Sequence, residues 1–459
     1  MSSTTNIERL TLDTFSDIAG SVIAPDDPDY DKARTVFYGG IDKRPAAIVR
    51  VASAEDIQRV VRIARDGGHE LAIRSGGHSI AGSSTTDGGI VIDLRDMSAV
   101  EVDPADRTAW VETGATAIRV TEVLAKHGLV LGFGDSGSVG VGGITLGGGI
   151  GFLVRKWGLT IDSVLAAEVV TADGRHLSVD PDHHPDLFWA IRGGGGNFGV
   201  VTRLRFRLHE LPQFTGGILI LPATPETIDR FVAASLAAPE ELSTIGNVMP
   251  CPPLPFVPAD VHGSLVIFGM LAFAGDDVAA ERALAPFRAL ATPIADMVKP
   301  GPYTAMYPPE DPSYRPTAIA RTLFLDTFDR SLAASICEWL AKSDAVMRVA
   351  QIRVLGGAMA RVPVAATAYA HRTRSMLVNV AAFYTTPEDR ASRAQWVEDF
   401  AAHLQPNDLS AYVGFVGDEG SDRVRAAYPG ATWDRLVRIK TAYDPTNLFH
   451  LNQNIPAVK

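Results

Sequence analysis

The apolar positions near the start of the chain switch between two periods. Ala46-Ala-Ile-Val-Arg-Val51 is an unbroken β-rich run. Ser53 stands three residues before Asp56, which resembles a capping box. Ile57, Val60, Val61 and Ala64 then recur at helical spacing, and Gly67-Gly68 ends that helix. Leu71 to Arg74 reads as a short strand, Gly88 to Leu94 as the next, and Trp110 to Thr113 as another. Ile118 to Lys126 reads as a second helix, and Pro185 to Arg192 as a short amphipathic one that runs through a glycine-rich stretch into the strand Val200 to Phe206.

After Leu211-Pro212 the character changes. β-rich runs cover 217–222, 264–272 and 376–383, and long helices are predicted over 277–290, 328–342 and 387–404. Prolines crowd 249–258 and 299–316, as loops require. A last segment from Tyr412 carries a helix around Trp433 to Tyr443 and ends in Leu451-Asn-Gln-Asn-Ile455. No repeat or low-complexity tract interrupts the chain. The pattern is α+β with short strands, and 459 residues imply two or three domains.

Composition narrows the function classes. Hydrophobic content of 46% and charged content of 21% describe an ordinary globular protein. A net charge of −11 with no basic tract argues against nucleic acid as a partner. Two distant cysteines, Cys251 and Cys337, make no disulfide framework. The first ten residues lack a secretory pattern, and no apolar run approaches the roughly 20 residues of a membrane span, so a cytoplasmic protein without a membrane partner is expected.

Candidate chemistry gathers at glycines. Arg74-Ser-Gly-Gly-His78-Ser79 follows a predicted strand. Successive N–H groups in such a turn form a nest that suits phosphate, and a histidine there presents its imidazole to whatever the nest holds. Between Gly140 and Gly151, glycines interleave with Val141, Ile144, Leu146 and Ile150. Two readings stand: a packed array of turns, or a backbone surface that fits a large flat ligand. Gly194 to Gly199 satisfies G-x-G-x-x-G, but it follows a helix and opens a strand, the reverse of a dinucleotide fingerprint. A nicotinamide site is therefore rejected. His183-His184 lacks a third ligand at useful spacing, so no metal is expected.

Arg74-Ser-Gly-Gly-His-Ser79, Val139 to Gly151, Arg155-Lys-Trp-Gly-Leu159, Pro185 to Thr202 and Tyr443 to Ile455 together resemble the berberine-bridge-enzyme-like branch of the vanillyl-alcohol-oxidase family of flavoproteins. The resemblance runs almost the length of the chain and leans towards the 6-hydroxynicotine-oxidase-like bacterial members. It implies a two-part FAD-binding domain (1–212 with 412–459) and an inserted α+β substrate domain with an antiparallel sheet (213–411). It also implies an oxidase that takes a hydride from a C–OH or C–N small-molecule substrate and reduces O₂ to hydrogen peroxide. A same-fold dehydrogenase with another acceptor, a flavin-binding protein without catalysis, and a colourless nucleotide-binding module are the alternatives.

The resemblance puts Arg74, Ser75, Gly76, Gly77, His78, Ser79, Gly82, Ser136, Val139, Gly142, Gly143, Gly149, Val201, Asn452 and Asn454 around FAD. His78 occupies the position that bonds to the 8α-methyl carbon. The position of the family's second, cysteinyl link holds Ser136, so one bond through His78 is expected. Val139 stands where the family governs access of O₂, unless it is a plain core residue. Tyr412, in Ala411-Tyr-Val-Gly-Phe415, matches a tyrosine that acts as base on a strand returning to the flavin, with Gly414 where asparagine is usual. A buried structural tyrosine is the other reading. Arg353 replaces the carboxylate of sugar-oxidising relatives, and three roles stay open for it: lowering the tyrosine pKa, pairing with an anionic substrate, or a surface ion pair. Arg321 matches a lysine near the flavin in relatives, and His371-Arg372 matches a structural pair. The substrate itself and the oligomeric state are not determined by these residues.

Overall fold

The computed structural model describes residues 10–458. Three larger sheets organise the described residues, beside a two-stranded pair of Leu129–Val130 with His209–Glu210. The first has four strands in the order Ser21–Ile23, Ala47–Arg50, Ile90–Asp93, Leu71–Arg74. The last three are parallel, and the helix Ala54–Gly67 makes the crossover between Ala47–Arg50 and Leu71–Arg74. Ser53 Oγ accepts the Asp56 N–H at 3.3 Å, and Gly68 closes the helix at φ +68°. Ile57, Val60, Val61 and Ala64 are all fully buried against this sheet, as their spacing predicts.

A second, antiparallel sheet of five strands runs Val100–Asp103, Thr108–Glu112, Val200–Arg207, Val164–Val170, His176–Val179. Helices Ala117–Ala125 and Pro185–Ile191 share its core, together with residues Ala427, Tyr428, Leu436 and Ile439 from the far end of the chain.

The third sheet has eight strands and is antiparallel throughout. Its centre runs Thr215–Pro222, Leu265–Phe273, Leu242–Pro250, Arg348–Val354, Met376–Phe383, Ala318–Leu325. Helices Pro225–Ala237, Asp277–Arg288, Arg330–Lys342 and Pro387–Leu404 cover one face, and Val248, Ala350, Ile352, Val378, Val380 and Leu323 bury into that layer. Side chains alternate across a strand, so residues 247, 351, 353, 379 and 320 turn to the opposite face. Three of these central strands, at 242–250, 318–325 and 348–354, were not predicted.

Two local expectations are corrected. The glycine-rich run is not an array of turns: Val141–Gly147 is a helix, with Val141 fully buried and Leu146 nearly so. Residues 412–415 form no strand. Phe415 N–H returns to Tyr412 O at 2.9 Å and Val413–Phe415 is a 3₁₀ turn, so the Tyr412 ring folds back over Gly414. A Cβ at Gly414 would lie 2.8 Å from Tyr412 Cζ, so a larger residue there would push the ring out of this position.

Candidate FAD and substrate site

Both glycine loops, the free face of the large sheet and the end of the chain wall one cavity of about 440 Å³. Ser75 to Ile80, Asp135, Val139, Gly142, Gly143 and Gly196 line one side. Ala320, Gln351, Arg353 and Asn379 face them from the sheet, and Tyr412, Phe415 and Asn452 close the space.

The loop after Leu71–Arg74 is built to leave donors unspent. Gly77 holds φ +76°, a conformation open to glycine. The N–H groups of Gly76, Gly77, His78 and Ser79 donate to no protein group among the described residues. The Gly143 N–H is likewise free. The two glycine loops touch backbone to backbone: a Cβ on Gly76 would fall 2.2 Å from Gly140 N. A Cβ on Gly143 or Gly196 would meet nothing within 4 Å, so side chains there would project into the cavity. Ser84 Oγ, Asn379 Oδ1 and Asn452 Oδ1 are buried cavity-lining atoms with no hydrogen-bond partner among the described residues. Buried polar atoms are normally satisfied, so these fit a polar, planar guest such as FAD.

His78 stacks on Phe37, ring centroids 4.0 Å apart and 18° from parallel. Its Nε2 is 2.9 Å from Ser138 Oγ. Burial lowers its pKa to about 4 against the opposing pull of Glu310, so the imidazole is neutral at pH 7. Ser136 lines the cavity, while Cys251 packs with Ile220, Val257 and Val266, and Cys337 lies on the helix-covered side of the large sheet.

Tyr412 is buried, and its Oη accepts the Gly149 N–H at 3.0 Å. Burial raises the phenol pKa, although that N–H and the charge of Arg353 pull it down. Arg353 is also buried; Nη2 meets Asp135 Oδ2 at 2.7 Å and the guanidinium lies 5.2 Å from the Phe415 ring centroid. The surface ion pair is thereby excluded for Arg353. Gln351 Oε1 accepts from Arg353 Nε at 3.0 Å, and Gln351 Nε2 donates to Asn247 Oδ1 at 2.8 Å. The sequence reading missed this amide row and Asp135, because only strand register brings Asn247, Gln351 and Asn379 side by side.

Five predicted site residues do not line the cavity. Arg321 sits on the opposite face of its strand from Ala320 and pairs with Glu398 at 2.9 Å and Glu419 at 3.5 Å. Arg74 is buried beneath the loop, bonded to the carbonyls of Ser84 and Ala33 with Asp93 at 3.8 Å, and so braces the nest from behind. Gly82 turns away at φ +69° with Ile41 3.2 Å from a virtual Cβ. Gly149 spends its N–H on Tyr412. Asn454 is outside the wall with its Oδ1 buried and unpartnered among the described residues. Val201 and Asn452 do line it. Arg372 forks onto Asp162 at 2.7 and 2.8 Å, and His371 reaches Ala427 O at 3.1 Å, both away from the cavity. Among the described residues no cluster of metal ligands occurs, and no helix is long and apolar enough to cross a membrane.

This geometry, a mixed α+β fold with a glycine-walled cavity, defines an FAD-linked oxidoreductase. A family model described as an FAD binding domain matches residues 45–180, and one described as berberine and berberine like matches 411–456. An FAD-linked oxidoreductase of Bacillus subtilis, YvdP, is 30% identical over 96% of this chain and 98% of its own. The (R)-6-hydroxynicotine oxidase of Paenarthrobacter nicotinovorans is 37% identical over 62% of each chain. The crystal structure of 6-hydroxy-D-nicotine oxidase from Arthrobacter nicotinovorans superposes with a TM-score of 0.86 at 27% identity, over 95% of this chain and 98% of that one. The chain belongs to the berberine-bridge-enzyme-like family of FAD-linked oxidoreductases.

Proposed function

We propose that the protein is an FAD-dependent oxidase that removes a hydride from a carbon bearing O–H or N–H on a small molecule, and that its flavin is held by one bond to His78. When bound, FAD supplies the hydride acceptor and passes both electrons to O₂, which with two protons becomes hydrogen peroxide. Residues 1–212 and 412–459 would hold the cofactor, and 213–411 the substrate.

The observation that carries this reading is His78 itself: a neutral imidazole on the cavity wall, next to a row of four unspent N–H groups. Those N–H groups suit the pyrophosphate without any Lys or Arg. Gly143 leaves room for the ring, and Asn452 Oδ1 is an unused acceptor. No cysteine lines the cavity among the described residues, which supports a single attachment. Val139 lines it at the point we assign to O₂ access.

Proton handling is assigned to Tyr412 with Arg353. The substrate's O–H or N–H proton must leave as the hydride does, and a positioned acid–base group assists by roughly 10²–10⁴. Burial keeps the phenol protonated, while Gly149 N–H and Arg353 favour the phenolate. Tyr412 can therefore take the substrate's proton only after its own phenolic proton has left, and those two groups stabilise the phenolate that results. Asp135 holds the Arg353 guanidinium in place.

The test is acid precipitation followed by in-gel fluorescence. The expected result is a yellow, fluorescent pellet for the native protein and flavin in the supernatant for His78→Ala. A white native pellet, or attachment that survives the substitution, refutes the link. Peroxide release on a screen of secondary alcohols and cyclic amines tests the reaction; turnover with a dye but not with O₂ would make the protein a dehydrogenase.

A further inference from the structure

The partner of His78 has a partner of its own. Ser138 Oγ, 2.9 Å from His78 Nε2, also donates to the carboxylate of Glu310. Glu310 lies in the proline-rich stretch after Tyr307. Its Oε1 takes the Ser136 hydroxyl at 3.0 Å and the N–H groups of Gly137 at 3.0 Å and Ser138 at 3.2 Å. Burial pushes the carboxyl pKa up, but these hydrogen bonds outweigh it and hold Glu310 below the usual carboxylate range.

An ionised carboxylate only accepts. The Ser138 proton therefore points at Glu310, and the Ser138 oxygen offers the imidazole nothing but lone pairs. His78 must bring the proton of that contact, on Nε2. Its Nδ1 then keeps a lone pair and has no hydrogen-bond partner among the described residues. The stacked Phe37 ring fixes the plane of the imidazole.

We infer that Glu310, acting through Ser138, is a positioning residue that holds His78 in the Nε2–H tautomer, so that Nδ1 is the atom joined to the flavin's 8α-methyl carbon. This rests on the single His78 bond proposed above. In the linking step an Nδ1–carbon bond forms and one methyl C–H bond breaks. The C–H electron pair goes, by way of the ring, to O₂. The methyl proton and the Nε2 proton complete hydrogen peroxide, the latter leaving through Ser138 and Glu310. Ser138 meets the imidazole only at Nε2, and Glu310 reaches it only through Ser138, so their effect is on which nitrogen is free.

The experiment uses full-length protein made flavin-free in a riboflavin auxotroph and then given FAD. Acid-stable in-gel fluorescence is followed with time, and flavin binding is read separately by fluorescence quenching. Ser138→Ala and Glu310→Gln are expected to bind FAD but to link it at least tenfold more slowly, while Ser138→Thr keeps the native rate. Native-rate linking in both of the first two variants overturns the inference. Nitrogen-15 spectra of histidine-labelled wild-type protein read the tautomer directly, even if a variant fails to fold. A protonated Nε2 with a bare Nδ1 supports the inference, and a protonated Nδ1 overturns it. Wild-type protein that shows Nε2–H but never acquires acid-stable fluorescence overturns the attachment itself instead.

Discussion

Tyr412 Oη accepts the backbone N–H of Gly149 at 3.0 Å, across 263 residues of sequence. The bond joins the tail of the chain to the glycine-rich segment and fixes the phenol at the cavity wall.

Tyr412→Phe is expected to slow anaerobic flavin reduction by roughly 10²–10⁴, the usual size of a lost acid–base contribution. Gly149 N–H would lose its acceptor, at about 1–3 kcal/mol of stability. Stopped-flow absorbance gives the first number and a denaturation curve the second. Unchanged reduction would remove Tyr412 from the chemistry.

Glycines in the two loops should separate fold from cofactor binding. A Cβ on Gly143 meets nothing within 4 Å, so Gly143→Val should fold but carry little flavin. A Cβ on Gly76 would sit 2.2 Å from Gly140 N, so Gly76→Ala should lower the melting temperature as well. Flavin-to-protein absorbance ratios and thermal melts distinguish the two. Full flavin content in Gly143→Val would mean that the ring lies elsewhere.

Buried histidines make the fold acid-sensitive. Burial is the main cause that lowers His209 and His371 to about 4, against about 6.5 for an unfolded chain. Between those values the unfolded state binds protons that the native state does not, so stability rises with pH and falls on acidification. Each group contributes up to about 1.4 kcal/mol per pH unit in that window. Melts between pH 7.5 and 4.5 should show the decline, and His371→Gln should make it shallower. An equal slope in the variant would assign the acid lability to other groups.

Lys440 Nζ meets Asp444 Oδ2 at 2.7 Å with both side chains fully buried, and it also donates to Asn197 O at 2.8 Å and Phe449 O at 3.0 Å. It thereby ties the tail to the glycine stretch before Val200. Lys440→Met leaves the Asp444 carboxylate buried without its cation, at about 3–5 kcal/mol. Chemical denaturation measures this, and a loss under about 1 kcal/mol would show that the pair is dispensable.

The elements that the sequence revealed are those with sharp end signals or a nearly unbroken apolar run. The helix Pro387–Leu404 has its predicted ends, and the strand Met376–Phe383 its predicted limits. The strands at 318–325 and 348–354 lack such a run, because one face of each meets helices while the other meets a polar cavity. Gln351 and Arg353 interrupt the apolar run, and neither is on the surface. The same alternation separates Ala320, on the cavity, from Arg321, bonded to Glu398 in the helix layer. A residue count cannot choose between those faces; only the side on which the helices pack can.

By itself, the order of residues determined the family, the use of FAD and the loop that carries His78. These depend on local backbone: glycine where N–H groups must be bare, and a histidine at a set distance from a strand. Tertiary structure alone decided which side chains reach the same space. Glu310 lies 172 residues from Ser138, and Arg353 lies 218 from Asp135. Contacts over such separations follow from how the sheets pack on one another, a property of the whole chain that no single segment encodes.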